Sequence, residues 1–286
     1  MNQSINSSII PQCLKDATVV PIFKGGDKTL AKNYRPVSLT SHIIKIMERV
    51  ITENLIDFLE QNFCISDVQH GFRSRHSTMS ELLNHYHHIV NALDNNDYID
   101  VVMLDYSKAF DKVSHPLLLK KLRNIGINGK LGAWIGHFLL KRRQRVKVNG
   151  ILSDIIEVMS GVPQGSILGP LLFLIYINNL YSVVKNSNVS IYADDTKLSK
   201  HVSNYSDHTD LQLDLNAVYD WSKNNCMSFN TEKLELIRFT SCHSTIMQFS
   251  YKSPTGNDIT EVETSKDLGI FFLIMTAVSN FISLKK

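Results

Sequence analysis

The sequence has few cysteines, no secretion signal and no long apolar run, and each of these shortages excludes a class of protein. Its four cysteines form no C-x-x-C pair, which excludes a zinc ribbon and a disulfide framework and indicates reduced thiols. The N-terminus lacks a basic segment followed by an apolar one, and no run reaches the ~18 apolar residues of a membrane helix. The nearest approach, residues 268–284, is interrupted by Gly269, Ser279 and Asn280. We therefore expect an intracellular protein, of the cytoplasm or the nucleus, without stable membrane association.

Composition and charge describe an ordinary globular chain. Hydrophobic residues make up 43% and charged residues 20% of the 286 positions, which excludes a disordered, collagenous or coiled-coil protein. The net charge is +3, but the first 147 residues hold 20 basic and 13 acidic side chains and the remainder 10 and 14. This asymmetry suits a protein that holds a phosphate backbone on one side and a metal ion on the other. The alternative is an ordinary, scattered distribution of surface charges. The basic run at residues 141–147 could likewise be a solvated face rather than a nucleic-acid-binding patch.

The spacing of apolar residues predicts strands and helices. These elements do not alternate regularly as in parallel βαβ units, which indicates an α+β fold. Buried or half-buried strands are expected at residues 18–23, 34–39, 99–104, 189–192, 196–198 and 234–239. Helices are expected at residues 43–59, 79–93, 168–184 and 207–223. The second helix carries the cluster His85-Tyr86-His87-His88, which we assign to a solvated helix face rather than to a metal site.

Three carboxylates stand at the ends of predicted strands. Asp194 and Asp195 are adjacent in a predicted hairpin turn, and Asp105 ends the apolar strand at residues 99–104. Two adjacent like charges are tolerated when they are solvated or when a cation lies between them. If the two strands pair, all three acids meet at one edge, as a two-metal phosphoryl-transfer site with Mg²⁺ or Mn²⁺ requires. An exposed turn is the usual explanation of such a pair taken alone.

Seven motifs, in order across residues 15–270, resemble those of reverse transcriptases, and in detail those of non-LTR (LINE-type, jockey-like) retrotransposons. The motifs are YRPVSL at 34–39, QHGFR at 69–73, LDYSKAFDKV at 104–113, GVPQGS at 161–166 followed by LGP at 168–170, YADD at 192–195, Trp221 with Phe229, Asn230 and Lys233, and KDLGI at 266–270. The resemblance implies a right-hand polymerase, with fingers at about 1–98 and 121–158 and a palm, built on an antiparallel sheet packed on helices, at about 99–120 and 159–270.

The resemblance also implies which residues bind metal and catalyse. Asp105 and Asp194 would be direct ligands of Mg²⁺ or Mn²⁺, with Asp195 supporting the site or binding at one remove. Tyr106 would contribute to the nucleotide site, and its backbone carbonyl would add a further metal ligand. Lys233 would protonate the departing pyrophosphate, and its alternative is an exposed lysine beside Glu232.

Further residues would bind the nucleotide and the primer. Gln164 and Gly165 would line the incoming dNTP, while Arg35 and Lys24 would reach its triphosphate. Phe110 would be a steric gate against the 2′-OH of ribonucleotides, and core packing is its alternative. The turn formed by Lys266, Asp267, Leu268 and Gly269 would position the primer end. Two other matching residues, Asp111 and His115, are assigned to local structure.

These resemblances predict an RNA-directed DNA polymerase, a nucleotidyltransferase of a transposable element, with an RNA template, a DNA primer and dNTPs as partners. The chain departs from the family in two respects. We expect no endonuclease region in it, and after residue 270 an apolar tail at 271–286 replaces the thumb, as in a truncated element. The alternative function is therefore a catalytically inactive remnant that at most binds nucleic acid.

Overall fold

A computed structural model describes residues 2–95, 97–240 and 246–273. The chain forms two compact units, one built from residues 1–65 and 108–177 and the other from residues 66–107 and 178–286. We call them the first and the second unit. Their boundaries differ from the predicted division into fingers and palm, which stays a prediction. Residues 274–286, which make up most of the predicted apolar tail, and Cys242 lie outside the described residues.

Eight α-helices lie in the described ranges. They are α1 (Asn2–Ser7), α2 (Gln12–Lys15), α3 (His42–Gln61), α4 (Thr78–Asp94), α5 (His115–Asn124), α6 (Gly129–Leu139), α7 (Leu168–Ile177) and α8 (Tyr205–Asn224). Ser41 begins α3 by accepting a hydrogen bond from the Ile43 amide, and Ser77 and Ser80 form a capping box at the start of α4. No helix in these ranges is both long and apolar enough to cross a membrane.

The strands of the described chain form two five-stranded sheets and a separate hairpin. They are β1 (Ala17–Phe23), β2 (Tyr34–Leu39), β3 (Tyr98–Leu104), β4 (Arg142–Val148), β5 (Ile151–Leu152), β6 (Ile156–Val158), β7 (Asn188–Tyr192), β8 (Asp195–Val202), β9 (Glu235–Phe239), β10 (Thr260–Glu261), β11 (Thr264–Asp267) and β12 (Ile270–Leu273).

The first unit combines a mixed sheet with six helices. Its sheet has the order β2-β1-β4-β5, with β6 also paired to β4, and β1 lies parallel to β4. Helix α7 is buried almost all round, as its nearly continuous apolar sequence requires, and α3 and α5 pack against it. Helix α6 contributes the fully buried Trp134 and Phe138 to the core of this unit.

The second unit is a sheet with the order β10-β9-β3-β8-β7, covered on both faces. Strand β3 lies in the middle, antiparallel to β8 and β9, and all but one of its seven residues are buried. Ile99 and Val101 pack with α4, while Tyr98, on the opposite face by the alternation of a strand, contacts His208 of α8. The mixture of helices and antiparallel pairs confirms the predicted α+β class.

The predicted elements are present, and two details are wrong. The helix expected at residues 168–184 ends as an α-helix at Ile177 and continues as a 3₁₀ helix. In α4 the histidine cluster does not lie wholly on a solvated face: His85 is buried and Tyr86 is exposed. The reason is helical spacing, because His85 falls between Leu82 and Ile89 on the buried stripe whereas Tyr86 is turned outward.

Candidate active site

Strand pairing brings the three predicted catalytic acids to one edge of the second unit's sheet. The antiparallel register of β3 and β8 pairs Leu104 with Thr196. Asp105 follows Leu104 directly and Asp195 precedes Thr196 directly, so the two acids stand one step further along the same ladder. Asp194 lies in the tight turn between β7 and β8, where Tyr192 pairs with Asp195. The pairing of β3 with β8 thus brings together Asp105 and Asp194, which lie 89 residues apart in the sequence.

Burial and the repulsion between neighbouring carboxylates both act on Asp195. Desolvation, followed by the charges of Asp194, Asp267 and Asp105, raises the pKa of Asp195 to about 7. The side chain nevertheless keeps an exposed surface, so a cation from solvent can approach it. A divalent cation would relieve this repulsion, because it favours the charged form of every carboxylate around it.

The donor chemistry of these acids fits a divalent cation. Carboxylate oxygens are the hard ligands that Mg²⁺ and Mn²⁺ prefer. Within the described part of the chain, no three His, Cys, Asp or Glu side chains are grouped so as to hold a metal ion by themselves. Mg²⁺ is commonly bound by one or two carboxylates together with substrate phosphates. The acids therefore fit the cation as an open set of ligands rather than as an enclosing cage.

Two further predicted residues lie beside Asp105. The Nζ atom of Lys233, on an exposed side chain, is 3.3 Å from Oδ2 of Asp105. Tyr106 is buried with its ring stacked on Phe229 at 4.4 Å between centroids, and its hydroxyl lies 3.2 Å from Oγ of Ser222. Burial raises the pKa of Tyr106, so the phenol stays neutral. Its side chain therefore anchors the segment, which leaves the backbone as the part available for a ligand.

The predicted primer hairpin is formed by β11 and β12. Leu268 and Gly269 make the turn with φ of 47° and 92°, and Lys266 is exposed with Nζ over the Phe271 ring. Asp267, by contrast, is buried and pairs with Lys197 of β8. Desolvation raises the pKa of Asp267, although Lys197 opposes that effect. Asp267 thus faces the protein, whereas Lys266 faces solvent.

The first unit holds the residues predicted for the nucleotide. Lys24 and Arg35 lie on the β1–β2 hairpin and are both exposed. The amide of Ser38 in β2 donates to the carbonyl of Gln164 at 2.7 Å, which joins the fingers motif to the GVPQGS loop. Gly165 has φ of 121°, and a Cβ there would lie 2.5 Å from the Ser38 carbonyl oxygen. Glycine is required because the two backbones approach so closely.

The assignment of Asp111 and His115 to local structure is wrong, because both residues make long-range contacts that hold this loop. The Gln164 side chain donates to Oδ1 of Asp111 at 3.0 Å, and the buried His115 ring lies 2.8 Å from the Gly161 carbonyl oxygen. Ser38, Asp111 and Gln164 line a recess of about 420 Å³ within the unit. The sequence alone did not predict the contact between Asp111 and Gln164. The one available signal was that both residues lie in motifs that resemble the same family.

Phe110 stacks on Phe173 of α7, with ring centroids 4.3 Å apart and planes 19° apart. The side chain is only half-buried. Packing against the core and a role as a gate are therefore compatible, because one face of the ring packs and part of the residue stays accessible.

Comparison with known proteins defines the family. Residues 22–272 match the family model described as reverse transcriptase (RNA-dependent DNA polymerase). The chain therefore belongs to the reverse transcriptase family, and this family implies a general dependence on divalent metal ions.

The chain is also similar to RNA-directed DNA polymerases of mobile elements. It is 33% identical over 249 residues to the RNA-directed DNA polymerase from mobile element jockey of Drosophila melanogaster, which covers 84% of this chain and 27% of that protein. It is 31% identical over 242 residues to the probable RNA-directed DNA polymerase from transposon BS of the same species, covering 81% of this chain and 26% of the relative. The chain thus spans about a quarter of the length of these relatives.

The fold is similar to that of telomerase. Apo telomerase from Candida tropicalis, truncated from its C-terminal domain, matches with a TM-score of 0.59 and 12% identity, over 97% of this chain and 56% of that one. Telomerase of the same species with a fragment of telomeric RNA matches with a TM-score of 0.55 and 12% identity, over 85% of this chain and 44% of that one. At such low identity the likeness shows the polymerase fold alone, which agrees with the predicted architecture.

Proposed function

We propose that this chain is the catalytic portion of an RNA-directed DNA polymerase, which adds dNTPs to the 3′-OH of a DNA primer on an RNA template. The observation that carries the proposal is the pairing of β3 with β8, which sets Asp105 beside the hairpin of Asp194 and Asp195. Family membership and the intact motifs support it.

Asp105 and Asp194 would hold Mg²⁺ or Mn²⁺ directly, together with the Tyr106 carbonyl, and Asp195 would act at one remove. Two such ions, when bound, activate an attacking hydroxyl and stabilise a leaving group in phosphoryl transfer. Lys233, whose Nζ lies 3.3 Å from Oδ2 of Asp105, would donate a proton to the departing pyrophosphate.

The remaining residues would select and orient the substrates. Arg35 and Lys24 supply positive charge for the triphosphate, and a guanidinium can grip two phosphate oxygens at once. Gln164 is oriented by Asp111, and Gly165 keeps the loop close to β2. Phe110 would exclude ribonucleotides by contact with the 2′-OH, and the turn at residues 266–269 would position the primer end.

Primer extension tests this function. Wild-type protein, an Asp194→Asn, Asp195→Asn variant and the control Asp220→Asn, at an exposed acid of α8, are given an RNA template, a DNA primer, dNTPs and Mg²⁺ or Mn²⁺. We expect the double variant to extend at least about 100-fold more slowly, because it loses several kcal/mol of transition-state stabilisation. The Asp220→Asn control should match the wild type.

Equal extension by the double variant would contradict the site. No extension by folded wild-type protein would contradict the proposed activity. Retained nucleic-acid binding in that case would support the alternative, an inactive remnant.

A further inference from the structure

The turn that carries Asp194 has an unfavourable backbone. Ala193, the residue before it, has φ of 56°, which residues other than glycine rarely adopt. Ala193 is also buried, at 6% exposure, so its amide and carbonyl cannot depend on water for hydrogen bonds. A conformation of this kind persists only when the surrounding structure holds it.

The side chain of Gln69 makes those hydrogen bonds. Its Oε1 accepts from the Ala193 amide at 2.9 Å, and its Nε2 lies 3.4 Å from the Ala193 carbonyl oxygen, to which it donates. Gln69 is 2% exposed, and the same Oε1 accepts from the Gly71 amide at 2.7 Å. One side-chain amide thus replaces a strand partner for Ala193.

The backbone around Gln69 is fixed to the same hairpin. The His70 amide donates to the Ile191 carbonyl at 2.8 Å, and the Ile191 amide donates to the Val68 carbonyl at 3.1 Å. A Cβ at Gly71 would lie 2.4 Å from the Ala193 nitrogen, so only glycine allows this approach. Gln69 is therefore held against β7, and its amide cannot turn away without loss of these contacts.

We propose that Gln69 is a positioning residue of the active site: its side-chain amide fixes the Ala193 backbone and so sets the direction in which Asp194 and Asp195 point. It need not touch substrate or metal. This inference rests on the proposed function for its effect on catalysis, but the hydrogen bonds can be tested without it.

Three variants of the full chain separate positioning from general stability. Gln69→Met keeps the length of the side chain and removes both hydrogen-bonding groups. Gln69→Glu keeps an acceptor and removes the donor, so it should rescue part of the loss. The control is Asp214→Asn, because Asp214 accepts from the backbone amides of Lys185 and Asn186 in the same unit but does not contact the turn.

Amide hydrogen exchange is measured first, since it needs no activity. In Gln69→Met the amides of Ala193 and Gly71 should exchange at least about tenfold faster than in wild type, because each loses its acceptor. In Gln69→Glu the two amides should exchange at rates between those of the wild type and those of Gln69→Met. In Asp214→Asn the exchange rates of both amides should be unchanged. Amides of the central strands, such as that of Val101, report global unfolding and should not change.

Single-nucleotide incorporation is measured second. Gln69→Met should lower kcat by about 10- to 100-fold with the KM for dNTP within about twofold, because misplaced catalytic groups slow the reaction without weakening nucleotide binding. Unchanged exchange at Ala193 and Gly71 would overturn the proposal whatever the activity, and so would faster exchange with an unchanged kcat. If the wild type extends no primer, the proposed function fails, and the exchange experiment still decides whether Gln69 holds the turn.

Discussion

At the scale of single residues, close backbone approach constrains this protein as tightly as side-chain chemistry does. Gly165 leaves room for the Ser38 carbonyl oxygen, and Gly71 leaves room for the Ala193 nitrogen. A side chain at either glycine would push apart two backbone segments, at least one of which carries a predicted site residue. The positions of Gln164 and Asp194 thus depend on residues that have no chemistry of their own.

Phe110 tests the selection of the sugar. Phe110→Val removes the ring, and we expect the preference for dNTP over rNTP, as a ratio of kcat/KM values, to fall by about 10- to 100-fold. The matched control is Phe173→Leu, which removes the stacking partner but leaves the Phe110 ring. An unchanged preference in Phe110→Val would show that this ring only packs.

His85 tests the stability of the fold against acid. Desolvation lowers the pKa of His85 to about 3, whereas the unfolded chain titrates near 6.5. Between these values the unfolded state takes up a proton that the folded state does not, so stability is complete above pH 6.5 and falls as the pH falls. At pH 5 the cost of this one group is about 2 kcal/mol.

Chemical denaturation at pH 7.5 and pH 5 measures this contribution. Between pH 7.5 and pH 5, the free energy of unfolding of His85→Leu should fall by about 2 kcal/mol less than that of the wild type. His87→Leu, at an exposed position of the same helix, should follow the wild type. If His85→Leu follows the wild type as well, His85 is not a buried neutral group in the folded protein.

At the scale of elements, a buried ion cluster joins the β11–β12 hairpin to the sheet of the second unit. Lys197 of β8 contacts Asp267 of β11 and, at 2.5 Å, Oε1 of Glu81 in α4. All three side chains are buried, and Ser190 donates a further hydrogen bond to Glu81. Lys197 lies two residues beyond Asp195 along β8, so the β11–β12 hairpin contacts the same strand that carries this predicted catalytic acid.

Lys197→Met should therefore release the hairpin and destabilise the protein. Removing the lysine leaves Glu81 and Asp267 buried without their cation, which costs about 3–5 kcal/mol. The control is Lys200→Met on the same strand, whose partly exposed pair with Asp210 contributes about 1 kcal/mol or less. Urea unfolding compares the two, and equal losses would show that the cluster does not anchor the hairpin.

Sequence patterns predicted several of the elements but not their long-range partners. The apolar run at 99–104 is a local signal, and the structure confirms the strand that it predicts. Asp100 could not be understood in this way, because its buried partner Arg238 lies 138 residues away on β9. In the sequence Gln69 stands out only as part of the QHGFR motif, because its contact with Ala193 depends on how residues 66–73 lie against β7.

At the scale of the whole molecule, the predicted residues divide between the two units. The second unit holds the three carboxylates, Tyr106, Lys233 and the hairpin of residues 266–269, whereas the first holds the residues expected to bind the nucleotide. The family match at residues 22–272 spans both units. The order of the motifs in the sequence predicts roles for these residues. The strand register is what brings Asp105 to the β7–β8 hairpin that carries Asp194 and Asp195.

We propose that Asp105 and Asp194 act together in one divalent-cation site. This claim is tested most directly by Mn²⁺ binding, followed by electron paramagnetic resonance, in wild type, Asp105→Asn, Asp194→Asn and the double variant, with Asp220→Asn as the control. We predict that each single variant weakens Mn²⁺ binding by at least about tenfold and that the double variant loses less than the sum of the two losses, because both acids are ligands of the same site. Unchanged Mn²⁺ affinity in Asp105→Asn would contradict the claim.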